Sequence, residues 1–163
     1  MTTAGILLRV NVARQELELW QDGQQLRTFP VSTGSKGVGE RKGSEQTPRG
    51  MHYVRARIGG DLPAGAVLRG RRYTGEIWSE QLAQANPDRD WILSRILWLC
   101  GCECGRNRLG DVDTQQRYIY IHGAADSEPM GVPRSHGCIR MRNADVIALY
   151  DLVPAGTPVE IVG

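Results

Sequence analysis

Short apolar segments that alternate with polar residues, and that end at turn-forming residues, constrain the fold of this chain most strongly. Residues 6–12 place their apolar side chains on one face, which is the two-residue period of a half-buried β-strand. Residues 16–20 alternate in the same way, and Asp22-Gly23 is a strong signal for a tight hairpin turn. Residues 25–32 then form the returning strand. The N-terminal part of the chain is therefore predicted to consist of strands joined by tight turns.

Further segments carry the patterns of regular structure. Residues 51–58 and 159–162 are predicted strands, and residues 91–100, whose apolar run fits a helix or a buried strand, are assigned to a strand. Residues 117–122 are apolar on both faces, with Tyr118 and Tyr120 on one side and Ile119 and Ile121 on the other, as in a central strand. Residues 33–50 and 59–73 are predicted loops, and the first is long enough for a functional role.

One long helix is predicted to start at Asn143 as its N-cap, with Asp145 in the first turn. Its buried stripe is expected to contain Val146, Leu149, Tyr150 and Val153. Twenty glycines and eight prolines, against a single phenylalanine, indicate many turns between short elements. A chain of 163 residues fits one domain, 1–163, with a core that needs no disulfides.

Charge and hydropathy exclude several classes of function. The net charge of +2 is too small to indicate nucleic-acid binding, and no apolar stretch approaches the length of a membrane span. Residues 1–15 lack the basic leader and long apolar region of a signal peptide, so a cytoplasmic location is expected, or a periplasmic one if the chain has been trimmed. All cations except Lys36 and Lys42 are arginines, which suit an anionic ligand, although a codon bias explains them equally well.

The stretch 134-RSHGCIRM-141 concentrates rare residues in a chain that has only three histidines and four cysteines. Cys138 can attack a carbonyl as a thiolate, and His122, at the end of a predicted strand, can lower its pKa and carry the proton. The backbone N–H groups of His136, Gly137 and Cys138 can form an oxyanion hole. Glycine at 137 leaves room for the substrate to approach.

Other interpretations of these residues stay open. A single cysteine is usually an inert small apolar residue, and a single histidine usually a satisfied polar group. Zinc could be held by His122, His136, Cys138 and a further ligand, but no compact second ligand pair follows. Cys100, Cys102 and Cys104 are too closely spaced for an ordinary disulfide framework. They could hold a metal or a labile disulfide, although such clustering more often has no function.

The segment Ser135–Met141, together with His122-Gly123, closely resembles the active-site signature of YkuD-type L,D-transpeptidases. The similarity extends over nearly the whole chain. It includes LELWQDGQQLRTFPVSTG at 17–34, TPRG at 47–50, WILSRILWL at 91–99 and GTPVEIV at 156–162. The resemblance implies a mainly β, sandwich-like fold with one or two short helices, and neither a cofactor nor a metal.

The resemblance also implies a mechanism. Cys138 would attack the meso-diaminopimelate carbonyl of a peptidoglycan stem tetrapeptide and expel D-alanine, with His122 as the base. The carbonyl of Gly123 would orient the imidazole, and His136 would shape the oxyanion site together with Gly137. Carbapenems would acylate Cys138.

Substrate binding is assigned to four residues: Arg140, Arg134, Tyr118 and Ser135. Arg140 is expected to clamp a substrate carboxylate with help from Arg134, and a structural ion pair is the alternative interpretation. Arg117 and Arg142 could also line the cleft.

The predicted reaction is hydrolysis, by an L,D-carboxypeptidase that acts on recycled muropeptides. The first alternative is an L,D-transpeptidase that forms 3→3 crosslinks, and the second is an inactive domain that only binds muropeptides.

Overall fold

The computed structural model describes residues 5–163. It contains ten strands and two α-helices. The strands are β1 (Ile6–Asn11), β2 (Glu16–Gln21), β3 (Gln24–Ser32), β4 (Gly50–Ile58), β5 (Ala66–Arg69), β6 (Arg72–Ile77), β7 (Ile92–Gly101), β8 (Tyr120–Gly123), β9 (Ile139–Met141) and β10 (Pro158–Val162). The helices are α1 (Glu80–Ala85) and α2 (Asn143–Leu152), and a short 3₁₀ turn covers Gly110–Val112.

The strands form one sheet that closes on itself. Its order is β4-β10-β1-β2-β3-β9-β8-β7-β5-β6, and an additional pairing of β4 with β7 turns the first eight of these into a ring. β1–β10 and β8–β9 are parallel, and the remaining pairs are antiparallel. The predicted mainly β fold with one or two helices is confirmed, and the sandwich-like arrangement takes the form of this ring.

The hairpin of β2 and β3 turns at the predicted dipeptide. Asp22 and Gly23 both have positive φ, 50° and 81°, as a two-residue turn of the hairpin type requires. The pair Gln21↔Gln24 closes the turn, and a bulge between Leu19 and Trp20 shifts the register further along.

The core fills the ring and extends under α2. Its largest fully buried side chains come from most strands of the ring and from α2: Phe29, Leu8, Leu17, Leu97, Leu99, Ile121, Ile139, Met141, Leu149 and Ile161. From α2, Val146, Leu149 and Val153 are buried as predicted, whereas Tyr150 is half-buried. A smaller cluster of Leu68, Ile96 and Tyr120 lies apart from this core, and Cys138 packs against it.

Two local predictions were wrong, and one helix was not predicted. The segment 59–73 contains β5 and the start of β6 instead of a continuous loop, because its short apolar run Ala66–Leu68 pairs with β7. The helix α1 was missed, although Ser79 caps it by accepting from the Leu82 N–H at 3.0 Å. The strand predicted from residue 117 begins at Tyr120, because Tyr118 has a left-handed φ of 56° that breaks the alternation.

Asn143 begins α2 but does not cap it, and Arg142 occupies the cap position. The Asn143 amide instead donates to the Ala124 carbonyl at 3.0 Å and accepts from the Ser94 hydroxyl at 2.6 Å. The start of α2 is therefore fixed to the chain after β8 and to β7. No helix of residues 5–163 is long and apolar enough to cross a membrane.

His52 on β4 is fully buried and neutral. Its Nδ1 donates to the Gly50 carbonyl at 3.0 Å, so its Nε2 accepts from the Thr114 hydroxyl at 2.9 Å. Burial lowers the pKa of this imidazole to about 4.

We expect stability to fall with acidification because of His52. Above pH 6.5 the His52 imidazole is neutral in both the folded and the unfolded protein. Between pH 6.5 and about 4, the imidazole of the unfolded chain binds a proton, whereas the buried imidazole of the folded chain does not. The free energy of unfolding should therefore drop by about 3 kcal/mol between pH 6.5 and 4 on account of this residue. Urea unfolding of the wild type and of His52→Gln across this range measures it. Burial of His122 also lowers the free energy of unfolding as the pH falls, but His122 is present in both proteins. Parallel curves of unfolding free energy against pH for the two proteins would therefore refute the assignment to His52.

Candidate active site

The parallel pairing of β8 with β9 places the candidate catalytic residues. Ile121 is opposite Ile139, and both point into the core. Since side chains alternate along a strand, the next pair, His122 and Arg140, points to the other face. Cys138 immediately precedes β9 and lies two residues before Arg140, so it is on the same side of the sheet as His122. The short strand β9 itself was not predicted.

His122 is buried and held by the backbone carbonyl beside it. Its Nδ1 lies 2.7 Å from the Gly123 oxygen, and only a protonated Nδ1 can donate there. This leaves Nε2 as the free acceptor. Burial lowers the pKa of the imidazole, so His122 is neutral near pH 7 and able to take a proton.

Gly123 is a glycine for a reason that sequence reasoning missed. A Cβ at this position would stand 2.5 Å from both the Leu93 carbonyl oxygen and the Asn143 Oδ1. Only glycine lets the strand come this close to β7 and α2. The carbonyl that orients His122 is held in place by this packing.

The Cys138 thiol is half-buried and has backbone partners. The Tyr120 N–H donates to Sγ at 3.3 Å, and the thiol donates to the Tyr118 carbonyl at 3.4 Å. Desolvation by its surroundings raises the pKa of this thiol to about 11. Near neutral pH the protein therefore holds a thiol and a neutral imidazole, rather than a thiolate and an imidazolium.

The loop 135–138 is fixed by hydrogen bonds to residues 33–47. Ser135 donates its N–H to the Thr33 carbonyl and accepts from the Ser35 N–H through its own carbonyl, both at 2.9 Å. The Thr47 hydroxyl donates to the Gly137 carbonyl at 2.9 Å. Part of the segment 33–50, predicted as a loop, thus supports the candidate nucleophile.

Two predictions about this loop need correction. Ser135 was expected to contact substrate, but it is buried and its hydroxyl donates to the Cys138 carbonyl at 2.5 Å. The same hydroxyl accepts from the Gly137 N–H at 3.1 Å, so that N–H is not free to bind an oxyanion. The N–H groups of His136 and Cys138 make no hydrogen bond to another described residue and remain the candidate oxyanion donors.

Gly137 has a φ of 121°, which side chains other than hydrogen rarely adopt. An added Cβ would also stand 3.0 Å from the Gln46 carbonyl oxygen. The glycine is required by the backbone conformation and by the close approach of the supporting loop.

Arg140 lies in an ion-pair network. It is buried, and its guanidinium donates to Asp90 Oδ1 at 3.1 Å and to Glu128 Oε2 at 3.3 Å. This is the structural ion pair of the alternative interpretation, with two carboxylates on one cation. His136 is exposed, and its Nδ1 lies 3.7 Å from Asp90 Oδ2. Asp90 was not predicted, and no motif in its surroundings marks it.

Two cavities flank His136. The first, of about 330 Å³, is lined by the segment 87–91 and by Ala125, Glu128, Arg134, His136 and Arg140. The second, of about 310 Å³, is lined by Lys42, Gly43, Glu45, Gln116, Arg117, Tyr118, Ile119 and His136. Of the residues predicted to bind substrate, Arg134 and Arg140 therefore line one cavity and Tyr118 the other.

Arg117 is tied to the supporting loop. It donates to the carbonyls of Gly39, Glu40 and Gln46, and to the Ser44 hydroxyl. Arg117 was predicted to line the cleft, and these hydrogen bonds show that it mainly stabilises the loop that forms one wall of the second cavity. Arg142 is exposed.

Arg71, Trp98 and Tyr118 form a partly exposed platform that was not predicted, except for Tyr118. The Arg71 guanidinium lies 4.6 Å from the centre of the Trp98 ring and 5.2 Å from that of Tyr118. It donates to the Tyr120 hydroxyl at 3.0 Å. The signal was present in the sequence only as an arginine-rich turn, 69-RGRR-72.

The three clustered cysteines do not share a face. Cys100 is buried in β7, while Cys102 and Cys104 follow the strand and are exposed, and all are free thiols. Within residues 5–163, no group of three or more His, Cys, Asp or Glu side chains is arranged to hold a metal ion.

Comparisons with known proteins match this chain to one family of catalytic domains. The sequence profile of YkuD, the L,D-transpeptidase catalytic domain, matches residues 6–161. The L,D-transpeptidase YkuD of Bacillus licheniformis is 49% identical over 46 residues, which are 28% of this chain and 28% of that protein.

Solved structures share the fold at low identity. L,D-transpeptidase 3 of Mycobacterium tuberculosis, with a faropenem-derived adduct, superposes with a TM-score of 0.59 at 17% identity, over 98% of this chain and 60% of its own length. L,D-transpeptidase LdtMt1 in complex with imipenem has a TM-score of 0.56 at 20% identity, over 97% of this chain and 59% of its own. This chain thus spans about three fifths of those structures.

We expect alkylation of Cys138 in the free protein to be slow near neutral pH and to rise steeply with alkalinity. With a pKa of about 11, about one thousandth of the thiol is ionised at pH 8. The rate with iodoacetamide should increase about tenfold per pH unit from pH 7 to 10 without reaching a plateau.

Trypsin releases Cys138 in the peptide 135–140, apart from the other cysteines, so mass spectrometry follows it separately. The exposed Cys104 in the same digest reports that the reagent is active. A plateau near pH 7 would show a pre-formed thiolate and contradict the neutral pair.

Proposed function

Because this chain belongs to the YkuD family of L,D-transpeptidase catalytic domains, we propose that it cleaves the meso-diaminopimelate–D-alanine bond of peptidoglycan stem tetrapeptides through a thioester on Cys138. One observation carries the proposal: Cys138 and His122 lie on the same face of the β8–β9 pair, and His122 is oriented by the Gly123 carbonyl. That orientation leaves Nε2 free to accept a proton, as a base for a thiol must.

The first half-reaction follows from the neutral state of both groups. When substrate is bound, the Cys138 proton moves to His122 Nε2 and the sulfur attacks the diaminopimelate carbonyl. The oxyanion accepts from the N–H groups of His136 and Cys138. The C–N bond then breaks, His122 returns the proton to the leaving nitrogen, and D-alanine departs from the thioester.

Water is the proposed acceptor of the second half-reaction. Water at roughly 55 M competes with any amine unless a second groove holds that amine against the thioester. His122 would take a proton from water while the water oxygen attacks the thioester carbonyl. The C–S bond would then break, the proton would return to the Cys138 sulfur, and the product would be a tripeptide. This is the L,D-carboxypeptidase activity, which suits soluble muropeptides in cell-wall recycling. The cytoplasmic location stays a prediction.

Crosslinking is the second candidate, and one observation favours it. The two cavities on either side of His136, of about 330 and 310 Å³, provide separate spaces for a donor and an acceptor stem. An amine bound in one cavity could displace the thioester of a stem held in the other. The product would be a 3→3 crosslink.

We expect purified protein to convert disaccharide tetrapeptide into tripeptide and free D-alanine. Cys138→Ala should abolish turnover, and His122→Ala should lower it about a hundredfold or more, because proton transfer by a positioned base contributes that much. Mass spectrometry of the products, with and without an excess of a D-amino acid, measures both outcomes.

Arg72→Gln, which changes an exposed arginine, serves as the folded control. A majority of 3→3 dimers would replace the carboxypeptidase with the transpeptidase. Turnover by Cys138→Ala would overturn the thioester mechanism, and binding without turnover by the wild type would indicate a muropeptide-binding domain.

β-Lactams are proposed to acylate the same thiol. The imipenem complex and the faropenem-derived adduct belong to proteins with this fold. A strained β-lactam amide needs the nucleophile and oxyanion donors that a stem peptide needs.

We expect imipenem to raise the intact mass of the wild type by one drug molecule. The adduct should map to the peptide 135–140 and be absent from Cys138→Ala. An adduct on Cys102 or Cys104 alone would indicate nonspecific reaction of exposed thiols, and an unmodified protein after long exposure would contradict the prediction.

A further inference from the structure

The cations around the candidate nucleophile differ in how far they are already neutralised. Arg140 is paired with Asp90 and Glu128. The guanidinium N–H groups of Arg117 donate hydrogen bonds to the carbonyls of Gly39, Glu40 and Gln46 in the supporting loop. The charge of Arg140 is therefore already paired, and the N–H donors of Arg117 are occupied by neutral groups of the loop.

Arg71 is different. Within residues 5–163 it forms no ion pair with an Asp or Glu, and its guanidinium makes one hydrogen bond, to the Tyr120 hydroxyl. A guanidinium has five N–H donors, so most of them remain available. The side chain is half-buried and therefore still open to solvent on one side.

The Arg71 guanidinium is also held in one place. The rings of Trp98 and Tyr118 lie 4.6 and 5.2 Å from it, and the Tyr120 hydroxyl accepts from it at 3.0 Å. A cation already fixed in this way loses little side-chain entropy when an anion binds. Arg134, by contrast, is exposed and lies in the cavity that contains Asp88, Asp90 and Glu128.

The backbone at Arg71 is unusual for an arginine. Gly70 and Arg71 form the two-residue turn between β5 and β6, with φ values of 55° and 65°. Glycine or asparagine is preferred at such positions, and another residue there is held in a strained backbone conformation. Arg71 thus occupies a turn position whose left-handed backbone conformation is unfavourable for an arginine.

Two tyrosines, Tyr118 and Tyr120, each contact both Arg71 and the candidate nucleophile Cys138. Tyr120 accepts from Arg71 through its hydroxyl and donates its own N–H to Cys138 Sγ. Tyr118 lies against the guanidinium, and its carbonyl accepts from the Cys138 thiol. Tyr118 also lines the second cavity, so Arg71 packs against one wall residue of that cavity.

We propose that Arg71 is the residue that recognises a substrate carboxylate, with the platform of Trp98 and Tyr118 holding its guanidinium against Tyr118 in the wall of the second cavity. The inference rests on the proposed function, because it assigns part of the specificity for an anionic stem peptide. It moves the predicted clamp from Arg140 to a residue in a hairpin that the sequence reasoning treated as loop. Two substrate groups have the required chemistry: the terminal D-alanine carboxylate and the free carboxylate of diaminopimelate.

The test compares Arg71→Gly and Arg71→Met with Arg72→Gln, a neighbouring exposed arginine without a partner in the platform. Arg71→Gly relieves the left-handed backbone, so an unchanged melting temperature excludes unfolding as the cause of any loss. Arg71→Met keeps an apolar side chain on the rings while removing the charge. The substrates are the tetrapeptide and two carboxamides, one at D-alanine and one at diaminopimelate.

We expect both Arg71 variants to lower kcat/KM for the tetrapeptide by about tenfold or more, mainly through KM, because a charge-assisted hydrogen bond is lost. With one of the two carboxamides, the wild type and the Arg71 variants should agree within about twofold, because the partner of Arg71 is missing in both. That carboxamide identifies the carboxylate. Equal losses on all three substrates would make Arg71 a structural residue and overturn the proposal.

A binding experiment tests the role of Arg71 independently of the proposed function. Calorimetric titration of Cys138→Ala with each peptide, with and without Arg71→Met, needs no turnover. If the wild type fails to cleave tetrapeptide, the proposed function fails, and the titration still decides the role of Arg71. A preference for the acid that disappears in Arg71→Met supports it. Equal affinity for acid and amides, or no binding, overturns it.

Discussion

Three residue pairs join β8 and β9 in parallel, and the reactive groups of this protein depend on their register. Ile121 and Ile139 pack in the core, which fixes the strands against slipping, since a shift by one residue would bury the opposite faces. The same register places His122 and Cys138 together on the other face of the sheet. The hydrophobic effect, acting on two isoleucines, therefore sets the relative positions of the proposed base and nucleophile.

Desolvation has opposite consequences for those two groups. It lowers the pKa of His122 and raises the pKa of Cys138, and both shifts favour the uncharged form. The free protein thus keeps its thiol protonated, in a site where the proton acceptor is ready. Activation of the sulfur is thereby left to the substrate-bound state, and a resting thiol is less exposed to oxidation than a thiolate.

Much of the site could be predicted because its signals are local in the sequence. The stretch Ser135–Met141 and the pair His122-Gly123 contain the proposed nucleophile, the proposed base and the carbonyl that orients the imidazole within short segments. The hairpin at Asp22-Gly23 was equally clear, since a two-residue turn has strong residue preferences.

The missed features depend on contacts between distant parts of the chain. The pairing of Arg140 with Asp90 joins β9 to a loop fifty residues earlier in sequence. The engagement of the Gly137 N–H by Ser135 depends on how the loop folds back, and the requirement for glycine at 123 comes from β7 and α2. Asn143 has the composition of an N-cap, but tertiary hydrogen bonds to Ala124 and Ser94 use its side chain.

The β5–β6 hairpin is attached to the ring without being part of it. β7 pairs with β4 over residues 96–101 to close the ring, and only Leu93 and Ile92 pair with β5. Changes in the hairpin therefore leave the ring's hydrogen bonds intact. In evolutionary terms, a hairpin attached in this way can vary in length and charge while the strand pairing that closes the ring is kept.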